Sequence, residues 1–176
     1  MQTFITESIT AAALAAGLPE GRVLNLSEKD NLTIARPRIE LQFLPERVRP
    51  SGRLLATRRA AQELIRKREI STVRQEVAAN VLADDAAWLE AFSYAFMQKL
   101  PRGGNDARGN WVGISIEQAT FGKAADKRLG NAVIAVFTKV NRLFSIVFTW
   151  RVTAEEHAAL LPSVTINLPQ WSNNNG

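Results

Sequence analysis

The sequence contains no cysteine and only one histidine, His157. Without a thiol there is no disulfide framework, no thiolate zinc site, no iron–sulfur cluster and no cysteine nucleophile. A single imidazole also removes most histidine chemistry. Long apolar runs are missing too, because Lys139, Asn141, Arg142 and Arg151 interrupt the most apolar region, whereas a membrane helix needs about 20 apolar residues. We therefore expect no membrane partner.

What remains is the composition of an ordinary globular chain of 176 residues, with 46% hydrophobic and 22% charged residues. The length suits a single domain, which we expect over residues 1–160, with a basic hairpin insertion at about 47–70 and a loosely held tail over 161–176. The first 18 residues carry no basic segment before their alanine-rich stretch, which argues against a secretory signal. The expected location is therefore the bacterial cytoplasm.

The net charge of +5 is concentrated in one stretch. The stretch from Arg36 to Arg74 contains eleven basic residues and four glutamates, so its net charge is +7 and that of the rest of the chain is −2. Such a stretch is either a solvated face or edge strand kept soluble by arginines, or a surface that attracts phosphate or an acidic protein face. The candidate residues for contact with DNA or another subunit are Arg47, Arg49, Arg53, Arg58, Arg59, Arg66, Lys67 and Arg68.

Apolar periodicity predicts two helices, over residues 3–16 and after Asp84 and Asp85, the second with a buried stripe that includes Trp88, Phe92 and Phe96. Strict alternation predicts strands over 38–43 and 111–121. Residues 132–140 and 143–152 are either a hairpin or one long bent strand. Residues 54–68 fit a helix or the two arms of a hairpin, and the hairpin is preferred because period-two spacing resumes at Val73.

The predicted order of elements is helix, strand, strand, helix, strand, strand. This order is typical of a two-layer α+β domain, with the helices packed on one face of an antiparallel sheet.

No catalytic constellation is recognisable in the sequence. Asp84 and Asp85 are better explained as a helix cap than as paired catalytic carboxylates, because neighbours at a helix start point in different directions. Glu155, Glu156 and His157 are the nearest approach to a metal cluster, but three consecutive residues cannot share one helix face, and we expect a solvated turn there. We therefore expect no enzymatic activity, no cofactor and no metal.

Three strings in this order carry a family resemblance: RIELQFLPER from residue 38, VRQEVAANVLADDAAWLEAF from residue 73, and LPRG from residue 100. The layout is a core strand, an extended strand ending in two acids, an amphipathic helix, a Leu-Pro stop and further strands. It resembles the small tail-completion proteins of long-tailed phages, including the tail-terminator family and its prophage-encoded relatives, over roughly residues 1–152.

The resemblance implies a non-enzymatic structural protein of virion assembly that forms a ring, commonly a hexamer, and caps or joins the tail tube. Its partners would be further copies of itself, other phage tail proteins and, non-specifically, DNA phosphates. The basic segment over 47–68 and the C-terminal extension depart from the shorter family members. The alternative is an arginine-rich nucleic-acid-binding module that does not read sequence, supported by the +7 stretch.

Overall fold

The computed structural model describes residues 1–26, 35–60, 63–123, 128–129, 132–133 and 140–159. Most of these residues lie in strands. In chain order the elements are α1 (Gln2–Ala15), β1 (Val23–Asn25), β2 (Arg38–Phe43), β3 (Arg47–Pro50), β4 (Leu54–Ala60), β5 (Glu63–Ala83), α2 (Ala86–Lys99), β6 (Gly103–Asn105), β7 (Trp111–Lys123), β8 (Arg128–Leu129), β9 (Ala132–Val133) and β10 (Val140–Ala159).

Eight of the strands form one curled sheet in the order β1-β2-β5-β10-β7-β6, and both β3 and β4 pair with β5 as well. The sheet is mixed, because β1 runs parallel to β2 while the other pairs are antiparallel. Strands β8 and β9 form a separate antiparallel pair. The long strands β5 and β10 are therefore the centre of the sheet.

The predicted fold class is wrong: the chain is not a two-layer α+β domain with the order α-β-β-α-β-β on an antiparallel sheet. Among the described residues, strands far outnumber the two helices, and β1 introduces a parallel pairing. Alternating apolar residues reveal a strand that is buried on one face, but short strands and strands in water lack that pattern. Several strands of this sheet are of those two kinds.

Helix α1 was predicted, and the structure confirms it. Its buried residues Ile5, Ile9, Ala12 and Ala13 recur at spacings of three and four, which places them on one side of the helix. Gly17 follows with φ +99°, a left-handed conformation that glycine adopts without steric cost and that suits a helix end.

Helix α2 is also confirmed, together with its cap. The Asp85 carboxylate accepts a hydrogen bond from the Ala87 backbone amide at 2.9 Å, which satisfies one of the free amides at the helix start. Of the expected stripe, Phe92 and Phe96 are buried, at most 2% exposed, together with Leu89, whereas Trp88 is only partly buried against the core. Neither helix in the described part of the chain is long and apolar enough to cross a membrane.

The core lies where the helices meet the inner parts of β5 and β10. Alternate residues of β5, such as Val77 and Val81, are fully buried, and so are Phe144 and Phe148 of β10. The Phe96 ring lies 5.4 Å from the Phe144 ring, measured between centroids, and joins α2 to the sheet.

Strands β7 and β10 test two further predictions, those for residues 111–121 and 132–152. The strand predicted over 111–121 is confirmed by β7. From Val140 onward β10 is one continuous strand, so no hairpin turns at Asn141, while Ala132 and Val133 belong to β9, which pairs with β8 in a separate sheet. Residues 134–139 and the predicted tail over 161–176 lie outside the described residues.

Candidate interaction surface

Strands β5 and β10 continue past the core and form an arm with β4. We define the arm as residues 54–60 of β4, 63–71 of β5 and 151–159 of β10. Strand β4 pairs antiparallel with the first half of β5, so residues 54–68 belong to a hairpin and the helical alternative is excluded. On the other side, β5 pairs with β10 out to Glu63 and Ala159. The arm is therefore a three-stranded sheet with β5 in the middle.

An irregularity in strand pairing marks the base of the arm. After Pro50, the last residue of β3, the chain stays beside β5, because the Ser51 and Gly52 amides donate hydrogen bonds to the Ile70 and Glu69 carbonyls. Gly52 has φ +95°, a left-handed conformation that glycine adopts without steric cost, and the register against β5 shifts by one residue between Pro50 and Leu54. The arm then pairs with the outer half of β5, beyond the residues on which β3 pairs.

The arm has almost no core of its own. Ile65 is the one apolar side chain of β5 within the arm that is buried, at 7% exposure. In contrast, Leu54, Ile70 and Val152 are each more than two-fifths exposed, and most other arm residues are exposed as well. Within the described part of the chain, the start of α1 lines a cleft with Arg151, Val152 and Thr153 at the base of the arm, and beyond that base most arm residues on both faces and on the outer edges are exposed.

The arm gathers five of the eight candidate contact residues. Arg58 and Arg59 lie on β4, and Arg66, Lys67 and Arg68 lie on β5. Arg53 stands just before β4. The other two candidates, Arg47 and Arg49, lie on β3 further along β5, opposite Arg74 and Thr72. The structure therefore brings most of the basic segment together, but it separates the β3 pair from the rest.

The strand register distributes the arm cations over both faces. Residues directly opposite each other in an antiparallel pair share a face, and neighbours along a strand alternate. Arg58 lies opposite Ile65, which places it on the same face as Lys67. Arg59 lies opposite Leu64 and shares the other face with Arg66 and Arg68. Both faces of the arm are therefore positively charged along β4 and β5.

One of the eight candidates forms an ion pair with a described residue, and a second, Arg53, lies close enough to Glu69 to help lower the pKa of that carboxyl. The Arg68 Nε lies 3.0 Å from the Glu156 carboxylate. The other seven form no ion pair with any described residue. Unpaired cations on an exposed sheet produce a positive field that attracts phosphate or carboxylate groups.

Sequence reasoning missed the acidic strand beside them. Glu155 and Glu156 lie in β10, opposite Lys67 and Arg66, so the solvated turn expected there is wrong. His157 Nδ1 lies 3.1 Å from the Glu63 carboxylate, in the same strand pair. No group of residues in the described ranges is arranged to hold a metal ion. A local signal for this strand is lacking, because apolar alternation stops near Val152.

A carboxylate network ties the arm to the main sheet. The Glu69 side chain is nearly buried, accepts a hydrogen bond from the Thr72 hydroxyl at 3.0 Å and lies 3.2 Å from the Arg151 Nε. A hydrogen bond from Ser51 is the main cause that lowers the pKa of Glu69, with help from Thr72, Arg151 and Arg53, while desolvation opposes it. Glu69 therefore remains ionised at neutral pH and fixes the base of the arm.

A cleft of about 680 Å³ adjoins this base, lined among others by Arg53, Lys67, Trp111 and Arg151. Trp111 is 63% exposed and its ring packs on Gly103, where an added Cβ would lie only 2.5 Å from a ring carbon. The base of the arm therefore presents cations, one exposed aromatic ring and strand edges. This combination suits non-covalent contact with a negatively charged surface.

No protein-family model matches this chain, and the search of curated proteins finds no match. The geometry of the arm is therefore the basis for the functional proposal.

Proposed function

We propose that the protein is a non-enzymatic structural component of phage or prophage tail assembly, a tail terminator or completion protein, that self-associates into a ring in the bacterial cytoplasm. The observation that carries the proposal is the arm, which extends beyond the core and, past its base, exposes most residues of both faces and both outer edges. The resemblance of the three sequence strings supplies the phage-tail context.

An arm of this kind needs a partner surface. Exposed strand edges readily pair with another chain, and proteins normally block them unless pairing is their function. Here the strands also expose large apolar side chains, at Leu54, Ile70 and Val152. A contact between one side of the molecule and the opposite side of the next copy repeats from copy to copy, and it closes into a ring when the rotation divides a full turn. Self-association through the arm therefore buries what the isolated copy leaves exposed.

The proposal is tested by sedimentation velocity over protein concentrations of about 1–100 µM, with electron microscopy of the largest species. We expect a concentration-dependent closed oligomer. A Leu54→Asp variant should weaken association at least about tenfold, because it places a charge among the exposed apolar groups of the arm. Leu14→Asp is the matched control, since Leu14 is comparably exposed, at 42% against 49%, but lies on α1. A wild-type protein that remains monomeric throughout contradicts the proposal.

The alternative function, an arginine-rich module that binds nucleic acid without reading sequence, is favoured by the unpaired cations of the arm. Contacts of arginine and lysine with phosphates release counterions, so affinity falls steeply with salt. If all five arm cations contact duplex DNA, the logarithm of the binding constant falls against the logarithm of salt concentration with a slope of about −4.5. Fluorescence anisotropy with labelled duplexes of unrelated sequence measures that slope. Monomeric protein that binds with this slope favours the alternative, and negligible binding favours assembly.

A further inference from the structure

Among the described residues, the arm has two sheet edges with which no further strand pairs, and their net charges are opposite. Strand β10 pairs with β7 only as far as Trp150, opposite Val112, so residues 151–159 have a described strand, β5, on one side only. Strand β4 likewise pairs with β5 and with no other described strand. The β4 edge contains Arg58 and Arg59 and no acid, whereas the β10 edge contains Glu155 and Glu156 and a single arginine, Arg151, at its base.

We infer that these two edges pair between copies, so that β4 of one molecule adds to the outer part of β10 of the next. This inference rests on the proposed self-association and names the surface that performs it. Each copy then uses one edge of each kind, and the arms join into a continuous sheet. The occupant of each edge is a second copy of this chain.

The strand directions determine how the copies meet. Both β4 and β10 run antiparallel to β5, so they run in the same direction as each other. A rotation about an axis that follows the strands preserves that direction, and β4 of one copy therefore lies parallel to β10 of its neighbour. The contact joins two different surfaces, so it repeats from copy to copy and closes when the rotation divides a full turn.

The register aligns the opposite charges. Ile65 of β5 lies opposite Arg58 on one side and His157 on the other, so these two residues stand at the same level along the arm. If the copies are related by rotation alone, Arg58 of one copy lies beside His157 of the neighbouring copy. Glu155 of that neighbour is two residues from His157 on the same strand, so it lies on the same face of the sheet as Arg58. Such diagonal neighbours lie within reach of long side chains.

The same relation holds on the opposite face. Leu64 pairs with Arg59 on one side and with Ala158 on the other, so these two residues are at the same level along the arm. Arg59 of one copy therefore lies beside Ala158 of its neighbour, two residues from the neighbour's Glu156. Each arginine therefore meets a glutamate on its own face. Glu156 already pairs with Arg68 within its copy, whereas Arg58, Arg59 and Glu155 have no ion pair with any described residue. Pairing between copies would supply their missing counter-charges.

The charge distribution also argues against a symmetric dimer through one edge. Two β4 edges would bring four arginines together with no acid, and two β10 edges would bring four glutamates together with only two arginines. Like charges across a strand pair are destabilising. The favourable combination is one edge of each kind, which leads to a ring or chain of copies.

Charge reversal at one residue pair tests the inference. Arg58→Glu and Glu155→Lys each place like charges at the contact, and we expect each variant alone to raise the dissociation constant of self-association at least about tenfold in sedimentation velocity. Mixed in equal amounts, the two variants should recover association to within about threefold of wild type, because each supplies the edge that complements the other. Arg102→Glu, the same change at an exposed position after α2 and outside the arm, is the control and should behave as wild type.

Arg59→Glu with Glu156→Lys repeats the experiment on the opposite face, and circular dichroism checks that every variant remains folded. If wild type associates but the charge variants match it, or the mixture does not recover, edge pairing is overturned while the proposed function stands. If wild type remains monomeric up to about 100 µM, both are overturned.

Discussion

At the scale of single residues, the core depends on a row of aromatic rings along α2. The Trp88 and Phe92 ring centroids lie 4.8 Å apart, those of Phe92 and Phe96 lie 5.9 Å apart, and both pairs are stacked. Phe92 is the central ring and is 2% exposed, so removing its ring leaves a cavity between two neighbours that remain fixed.

We predict that Phe92→Ala lowers the free energy of unfolding by about 3–5 kcal/mol, because the lost burial and the cavity both contribute. Denaturant unfolding at neutral pH measures the change. Glu90→Ala, at an exposed position of the same helix, is the control and should change the free energy by less than about 0.5 kcal/mol. A loss below about 1 kcal/mol for Phe92→Ala would refute the placement of this ring in the core.

Arg142 is a second residue with an unusual environment. It is 7% exposed, and its guanidinium carbon lies 4.1 Å from the Phe121 ring centroid and about 5.5 Å from those of Tyr94 and Phe144. Its buried Nε and Nη1 atoms have no hydrogen-bond partner among the described residues. Aromatic rings attract the cation, but they do not replace the hydrogen bonds lost on burial.

Arg142→Met should therefore leave the free energy of unfolding unchanged or raise it by up to about 2 kcal/mol, since methionine fills the site without a charge to desolvate. Thermal and denaturant unfolding of the variant and wild type provide the comparison. A loss of more than about 3 kcal/mol would instead show that the guanidinium contributes more than its desolvation costs.

Glu69 makes the stability of the arm base depend on pH. Its pKa is below the ordinary value of 4.5 in the folded protein, chiefly because of the hydrogen bond from Ser51. A lowered pKa stabilises the fold above the unfolded-state value, and that contribution is lost as the pH falls through the folded-state value. The unfolding free energy of wild type should therefore fall more steeply below pH 4.5 than that of Glu69→Gln. Denaturant unfolding between about pH 3 and pH 7 measures both curves, and parallel curves would contradict the assignment.

At the scale of elements, β5 combines two environments in one strand of 21 residues. Its inner half alternates buried and half-buried residues against the helices, and its outer half is mainly exposed in the arm. Because the outer half contributes little to the core, its charges are free to serve an interaction.

Replacing Arg58, Arg59, Arg66 and Arg68 by serine should leave the melting temperature within about 4 °C of wild type, since exposed side chains and an exposed ion pair contribute little stability. Self-association should weaken strongly, because the basic edge loses its charge. Calorimetry and sedimentation measure the two effects. Arg102→Ser with Arg108→Ser, outside the arm, is the control. Melting of the core in the arm variant would show that these arginines stabilise the fold.

The elements that could be predicted from sequence are those with a local pattern. Both helices and strands β2 and β7 follow from apolar periodicity, and Asp85 marks the start of α2. The basic half of the candidate surface was visible as a charge run. The acidic half was not, because Glu156 pairs with Arg68 across 88 residues of sequence and no local pattern reports such a pairing. The free edges likewise become visible only in the assembled sheet.

At the scale of the whole molecule, the expected architecture failed for a topological reason. Periodicity shows that a strand has a buried face, but it does not show which strand is its neighbour or in which direction the neighbour runs. Here the three-residue strand β1 pairs parallel with β2, and β3 and β4 both pair with β5. These short strands, which apolar periodicity does not reveal, are the reason that the chain forms a mixed, curled sheet with an arm and not the predicted two-layer domain.

Hydrogen exchange at two protein concentrations, one below and one above the onset of association, tests most directly whether the arm is the assembly surface. We predict that the amides of residues 54–60 and 151–159 become protected at the higher concentration, while those of residues 77–82, already paired with β2 on one side and β10 on the other, do not change. New protection confined to the opposite margins of the sheet, at β1 and β6, or no new protection in an oligomer, would contradict the account.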